Sequence, residues 1–271
     1  MPTTRLDFAD LSATVRRAIE REAGHVLAVE GVSGGLNSEL AVRLTTEFGA
    51  FHVKGLRSDH PRVWTQGREA AINPYLRGIA PRLCWRLEIE NWELLGFEFV
   101  VGHHADYRPD SPDLSKVAEL LRCLGEVQCP DIELREAPQR LEKYVARSSD
   151  VDHFAGTSLL HTDLNNDNVL VGEATHLVDW AWATCGAPWL DAGYWVIWLM
   201  AVGGHTPESA EKWAGEIPAW QSAPTQGVTA FAVANARLWE EIGGDAPDAW
   251  TSRLVRASRG WADWRTLRGR C

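Results

Sequence analysis

The segment His161-Thr162-Asp163-Leu164-Asn165-Asn166-Asp167-Asn168 sets a carboxylate and a carboxamide five residues apart. Apolar runs flank it, Ser158-Leu159-Leu160 before and Val169-Leu170-Val171 after. Eleven residues beyond Asn168, Asp179 closes a third short run, His176-Leu177-Val178. An oxygen-rich set of this kind suits phosphoryl transfer. That chemistry needs a carboxylate to orient an acceptor hydroxyl and receive its proton. It also needs hard oxygen ligands to hold Mg²⁺ against phosphates. Asp163 fits the first role, and Asn168 and Asp179 fit the second. His161 joins Asp163 as a catalytic candidate, in the sense of a hydrogen-bonding residue that shapes the loop.

The upstream half supplies the complement. In Gly31-Val32-Ser33-Gly34-Gly35, the two consecutive glycines let backbone approach phosphates closely. Ser33, Gly34 and Gly35 are therefore candidate nucleotide contacts. Lysine is scarce, with Lys54, Lys116, Lys143 and Lys212 set against 23 arginines. Only Lys54 stands in a strand directly after the glycine turn. It is placed to meet the α- and β-phosphates, with Glu69 one helix later to pair with it. Asn and Asp in a loop are ordinary turn chemistry when taken singly. Taken together and in this order, they read as a catalytic set.

The surrounding pattern must position these residues. Helical spacing covers Phe8 to Ala23, and Gly24 can end that helix. Val26–Val29, Leu40–Leu44 and Phe51–Leu56 read as strands around glycine turns. Ser58-Asp59-His60-Pro61 reads as the start of a helix running to Asn73. Leu83–Ile89 and Leu94–Val101 are again strand-like. Residues 1–101 thus predict a small mixed sheet with one inserted helix. Residues 102–271 predict a mainly helical domain, with helices at Asp113–Cys123, Leu134–Arg147, Asp191–Val202, Pro207–Ala214, Val228–Ile242 and Pro247–Leu267. The chain changes character between Glu98 and His104. Core packing is the default for Trp195/Trp198 and Trp261/Trp264, which have helical spacing.

Composition narrows the field. The chain has 271 residues, 45% hydrophobic and 24% charged, an ordinary globular balance. The formal net charge of −10 argues against a role in reading nucleic acid. The acidity is concentrated: residues 1–101 carry 12 basic and 13 acidic side chains, residues 102–271 carry 15 and 24. The second part should attract cationic partners, with Asp152, Asp167, Glu208 and Glu211 as candidate contacts. The five scattered cysteines form no C-x-x-C pair, which predicts neither a disulfide framework nor a zinc site and fits a reducing compartment. His103-His104-x-Asp106 lacks ligand-spaced partners for a metal. No secretory leader is visible, and the longest apolar stretch, Ala192–Gly204, is too short to span a bilayer. A cytoplasmic protein with no membrane or nucleic-acid partner is expected.

With these residues in view, the chain resembles the aminoglycoside phosphotransferase family, small-molecule kinases of the protein-kinase-like fold. The family's H-x-D-x-x-x-x-N loop matches His161, Asp163 and Asn168. Its metal-binding Asp matches Asp179, and its downstream Gly, Pro and Asp match Gly186, Pro188 and Asp191. The likeness runs from about Val29 to Trp195. The middle residue of the common His-Gly-Asp is Thr162 here, and the glycine turn is not the G-x-G-x-x-G of protein kinases. The resemblance implies a two-lobed α+β kinase-like fold with lobes at 1–101 and 102–271. It implies ATP, or GTP, with Mg²⁺ between the lobes, adenine against hinge backbone at Glu98 to Val101 (Glu98 and Val100 as contacts), and Asp191 supporting the catalytic loop. The activity implied is phosphoryl transfer to a hydroxyl of a small molecule, foremost an aminoglycoside or related cationic antibiotic, with antibiotic inactivation as the outcome. A kinase of a metabolic amino alcohol or sugar and an inactive nucleotide-binding module are the alternatives.

Overall fold

Ser12 opens the first long helix. Its Oγ accepts a hydrogen bond from Val15 N at 3.2 Å, capping α1 (Ala13–Ala23). The sequence pattern began this helix at Phe8. Instead Phe8–Asp10 forms a separate 3₁₀ turn and Leu11 is extended, so the helix starts at its cap. Gly24, with φ of 87°, ends it in a conformation that an L side chain rarely adopts. The structure, a computed structural model, describes residues 5–32 and 38–268.

These residues divide into two units. The first runs up to Gly102 and includes His176–Ala181. It contains β1 (Val26–Gly31), β2 (Leu40–Thr46), β3 (Gly49–Arg57), α2 (Trp64–Ile72), β4 (Leu83–Ile89) and β5 (Trp92–Glu98). The five strands form one antiparallel sheet in the order β1-β2-β3-β5-β4. Val15, Ile19 and Ala23 of α1 pack on Leu40, Val42, Leu44, Val53, Trp85 and Leu94 of the sheet, which makes the core of this unit. α2 begins later than the Ser58 start that its sequence suggested. His60 N bonds Arg57 O and Val63 N bonds His60 O, so this stretch closes three-residue turns rather than a helical ladder. The ring Nδ1 of His60 also accepts from Arg62 N. In His176–Ala181, Leu177 N donates to Ile79 O at 2.8 Å.

The second unit comprises His103–Thr175 and the residues from Trp182 onward. After β6 (Gly102–His104) come α3 (Asp113–Gly125), β7 (Arg135–Glu136), α4 (Ala137–Leu141), β8 (Ser158–Leu160) and β9 (Val169–Gly172). The chain leaves this unit in β10 (Thr175–Leu177) and returns in β11 (Thr184–Gly186). Helices follow: α5 (Leu190–Ala201), α6 (Pro207–Ala214), α7 (Pro218–Gln221), α8 (Thr225–Gly243) and α9 (Ala249–Arg268). The single helix expected over Leu134–Arg147 is broken. β11 pairs in parallel with Arg135 and Glu136 and draws them into a strand, and Val145 is extended. β11 also pairs antiparallel with β8. Phe154, Trp189, Tyr194, Trp220, Phe231 and Trp261 meet mostly edge to face, with centroids from 4.9 to 6.4 Å apart. Trp195, Trp198 and Trp261 are buried.

The cysteine reading needs correction. Cys129 and Cys185 form a disulfide, with Cα atoms 5.7 Å apart and a separation of 56 positions in sequence. Their spacing in sequence carries no motif; the return of the chain in β11 brings them together. No helix among the described residues is long and apolar enough to cross a membrane.

Candidate active site

Each unit holds one cluster of the residues singled out in the sequence. In the first, Lys54 stands in β3, paired in register with Leu95 of β5. Its Nζ is 2.6 Å from Glu69 Oε2 of α2 and 3.6 Å from Asp179 Oδ1. Burial alone would drive the ammonium toward neutrality, but the Glu69 and Asp179 carboxylates outweigh it and hold the Lys54 pKa above its ordinary value. Burial lifts the Glu69 carboxyl despite Lys54, and a backbone N–H of Trp180 bonds to it. Two residues before Lys54, His52 is pushed down to about 4 by burial and by the Lys54 and Arg5 charges, so it is neutral at pH 7. Asp179 has φ of 64°. Left-handed backbone is uncommon outside glycine, and here it falls on the residue whose carboxylate lies 3.6 Å from Lys54 Nζ.

β5 ends at Glu98, whose N–H bonds Arg82 O and whose carboxylate accepts from Arg82 N. Phe99 N bonds Ala50 O. Val100 follows, past the sheet, and Val101 is 79% exposed. The Ser33, Gly34 and Gly35 candidates lie outside the described residues.

In the second unit the loop between β8 and β9 presents Asp163. Asn168 Nδ2 donates to Asp163 Oδ2 at 3.0 Å and to Asp163 O at 3.1 Å. Asn165 caps the 3₁₀ turn that follows by accepting from Asp167 N. Tyr107, fully buried, donates its hydroxyl to Leu164 O at 2.9 Å. His161 is fully buried, and its Nδ1 accepts from Asp163 N at 3.2 Å. The backbone N–H groups of His161 and Thr162 donate to the two different carboxylate oxygens of Asp191, each at 2.8 Å. Asp191 is buried in the first turn of α5, and burial raises its pKa against those hydrogen bonds. The loop is thus fixed at its entry by Asp191, at its middle by Tyr107 and at its exit by Asn168. Asp163 itself is half-exposed, with its Oδ2 bonded by Asn168.

Two features of this loop were not legible in the sequence. Thr162 has φ of 70°, which is costly for a β-branched residue. Its Oγ1 accepts from Arg140 Nη1 at 2.8 Å and donates to Trp182 O at 3.2 Å. Arg140 itself was missed: Nη1 also reaches Trp182 O at 3.2 Å and Thr184 Oγ1 at 2.6 Å. One guanidinium therefore ties α4, the loop after β8 and β11 together. As one of 23 arginines inside an expected helix, it carried no local signal. Of the acidic candidates for a cationic acceptor, Glu211 is occupied: it pairs with Arg265 and accepts from Trp261 Nε1 at 2.7 Å. Asp152, Asp167 and Glu208 are exposed.

Each unit carries one of the two side chains whose oxygens are of the hard type that Mg²⁺ takes. Asn168 uses Nδ2 for both hydrogen bonds, so its Oδ1 is the end available to a cation, and Asp179 offers a carboxylate. Both are the hard oxygen ligands that Mg²⁺ takes, usually a few at a time alongside phosphates and waters. Among the described residues no group of three or more His, Cys, Asp or Glu could form an all-protein metal cage.

Comparison with known proteins gives the class first: the fold is that of the kinase-like small-molecule phosphotransferases. Residues 7–224 match the phosphotransferase enzyme family (APH), and the chain belongs to that family. No curated protein matches the sequence. Among solved structures, choline kinase LicA from Streptococcus pneumoniae is similar at a TM-score of 0.62 and 15% identity, covering 92% of this chain and 98% of that one. Aminoglycoside phosphotransferase APH(4)-Ia, in ternary complex with AMP-PNP and hygromycin B, gives 0.61 at 14% identity over 93% and 99%. Macrolide 2'-phosphotransferase MphH from Brachybacterium faecium gives 0.51 at 16% identity over 90% and 97%.

Proposed function

We propose that this protein transfers the γ-phosphoryl group of ATP, or of GTP, to a hydroxyl of a small molecule. The observation that carries this reading is the fixed Asp163 carboxylate, held by Asn168 in a loop that Asp191 anchors. Asp163 orients the acceptor hydroxyl and receives its proton. Lys54, kept charged by Glu69 and Asp179, meets the nucleotide phosphates, with Ser33, Gly34 and Gly35 as backbone contacts and Glu98 and Val100 flanking the base. Asn168 and Asp179 are the residues that would hold Mg²⁺, which neutralises charge on the phosphates when bound. His161 keeps the loop in register. The nucleotide reading is supported by a neighbour of this fold that carries AMP-PNP.

For the acceptor, the acidic surface of the second part and the hygromycin B complex of that same neighbour favour an aminoglycoside or related cationic alcohol, with antibiotic inactivation as the consequence. The choline kinase neighbour favours an amino alcohol. The site, rather than the fold, decides between such classes. Replacing Asp163 tests the reaction itself. Asp163→Asn should lower acceptor-stimulated ADP release by about 10³-fold or more while leaving nucleotide affinity within about twofold. Retention of wild-type turnover in Asp163→Asn would remove this residue from its role.

A further inference from the structure

A cavity of about 500 Å³ opens in the second unit between α4, the 3₁₀ turn after it, α5 and α8. Arg135, Arg140, Glu142, Lys143, Tyr144 and Tyr194 are among the residues that line it. Three of its wall residues are cationic and one is anionic. The sign is opposite to that of the surrounding domain, which carries 15 basic and 24 acidic residues over 102–271.

The cavity is coupled to the catalytic loop through Arg140, whose Nη1 lies 2.8 Å from the hydroxyl of Thr162, the residue before Asp163. Arg135 and Arg140 converge on one indole, with their guanidinium carbons 5.5 and 6.0 Å from the centre of the Trp182 ring. The oxygens that Arg140 Nη1 contacts, Thr162 Oγ1, Trp182 O and Thr184 Oγ1, are all uncharged. Other charged groups face this region too. Asp191 of α5 feels the Arg140 charge, yet its oxygens accept from His161 and Thr162 N–H groups. Glu241 of α8 pairs with Lys143 at 2.7 Å and accepts from Tyr144 Oη at 3.1 Å. Arg237 of α8 adds a further cation, donating to Tyr144 O and Val145 O. Glu142 remains as a carboxylate in the wall, so the balance of the lining is positive. Both guanidiniums flank the Trp182 ring, and their planar N–H forks are the donors that match carboxylate and phosphate oxygens.

We propose that this cavity binds an anionic group of the acceptor, a carboxylate or a phosphate monoester, so that the alcohol phosphorylated is an acidic one. This rests on the phosphotransferase reading and sets an acidic acceptor in place of the cationic one that the net charge of the chain favours. Arg135 is the specificity residue, and Arg140 joins it while also bracing the loop. Tyr144 and Tyr194 supply aromatic and hydroxyl surface for the body of the molecule.

Isothermal titration of the full chain without nucleotide tests the cavity apart from turnover. Two matched sets serve as probes: glycerate, glycerol 3-phosphate, glycerol and serinol; and gluconate, glucose 6-phosphate, glucose and glucosamine. At least one acidic member should bind about tenfold or more tightly than its neutral and aminated counterparts. Whichever acidic arm binds names the carboxylate or the phosphate as the recognised group. Arg135→Gln should weaken that binder about tenfold, Arg135→Lys less, and Lys212→Gln on α6 not at all. In turnover, the same loss should fall on KM rather than kcat. If no acidic member outbinds its counterparts, or if Arg135→Gln leaves the preference intact, the proposal is overturned. An acidic compound that binds through Arg135 yet stimulates no ADP release with ATP, GTP or Mg²⁺ present would instead overturn the phosphotransferase reading and leave the anion site standing.

Discussion

Thr162 is the residue on which the loop carrying Asp163 turns. Its φ of 70° costs on the order of 1–3 kcal/mol for a side chain branched at Cβ. Glycine would adopt that backbone freely, and glycine is what this position commonly holds in the resembling family. Threonine is kept there by what its hydroxyl does: it accepts from Arg140 and donates to Trp182 O. Each such bond contributes about 1 kcal/mol net when buried. The strain and the two bonds are therefore of similar size and opposite sign. Thr162→Gly relieves the first and loses the second, and its stability should lie within about 1 kcal/mol of wild type. Thr162→Val keeps the strain, loses both bonds and should be destabilised by about 2 kcal/mol. Urea unfolding of the two variants checks this; equal losses in both would show that the backbone at 162 stores no strain. A sequence shows Thr where Gly is common but not the sign of φ, so neither the strain nor its compensation at this position has a local signature.

At the scale of elements, the loop works because short strands and one helix terminus hold its ends. β8 delivers His161 to Asp191 in the first turn of α5, and β9 carries the chain away after Asn168. Those strands were legible, because three apolar residues between polar loops can hardly be anything else, and so were the five strands of the first sheet. β7 and β11 were not legible. Each has at most three residues, and each exists through pairing with distant chain: Thr184 with Arg135 on one side and Leu160 on the other. Long-range pairing of this kind has no local signature. The same return of the chain sets Cys185 of β11 beside Cys129. The disulfide closes a loop of 56 residues that spans β7, α4, β8 and the whole catalytic loop. In the chain-entropy account, closing a loop of that length stabilises the fold by about 4 kcal/mol at most. Cys185→Ser, or treatment of the wild type with a strong reductant, should lower the unfolding midpoint by several degrees, and the reductant should then have no added effect on the variant. An unchanged midpoint in both would show that the bridge contributes nothing to the native fold.

The whole molecule presents two electrostatic faces to an approaching acceptor, one distant and one local. From far away it is a body of net charge −10. Locally, in the proposed anion site, an acidic ligand would meet Arg135 and Arg140, the latter bonded to the Thr162 hydroxyl. Counting charges along the chain gave the distant field and with it the expectation of a cationic acceptor. It could not give the local field, because α4 and β7 gather arginines while the carboxylates stay dispersed or, like Glu211, are consumed in pairs of their own. Salt separates the two. The Debye length falls from about 30 Å at 0.01 M to about 8 Å at 0.15 M, so the long-range repulsion of an anion is screened first. Half-buried contacts at a cavity wall are screened much less. The association rate of an acidic acceptor, measured by stopped flow, should therefore rise over that range, by about twofold or more, while its dissociation rate rises only modestly as the guanidinium contacts weaken. A cationic ligand steered by the same far field should associate more slowly as salt is added. If the acidic ligand also associates more slowly, the positive lining extends its influence beyond the cavity, and the net charge of the chain has no part in selecting what arrives there.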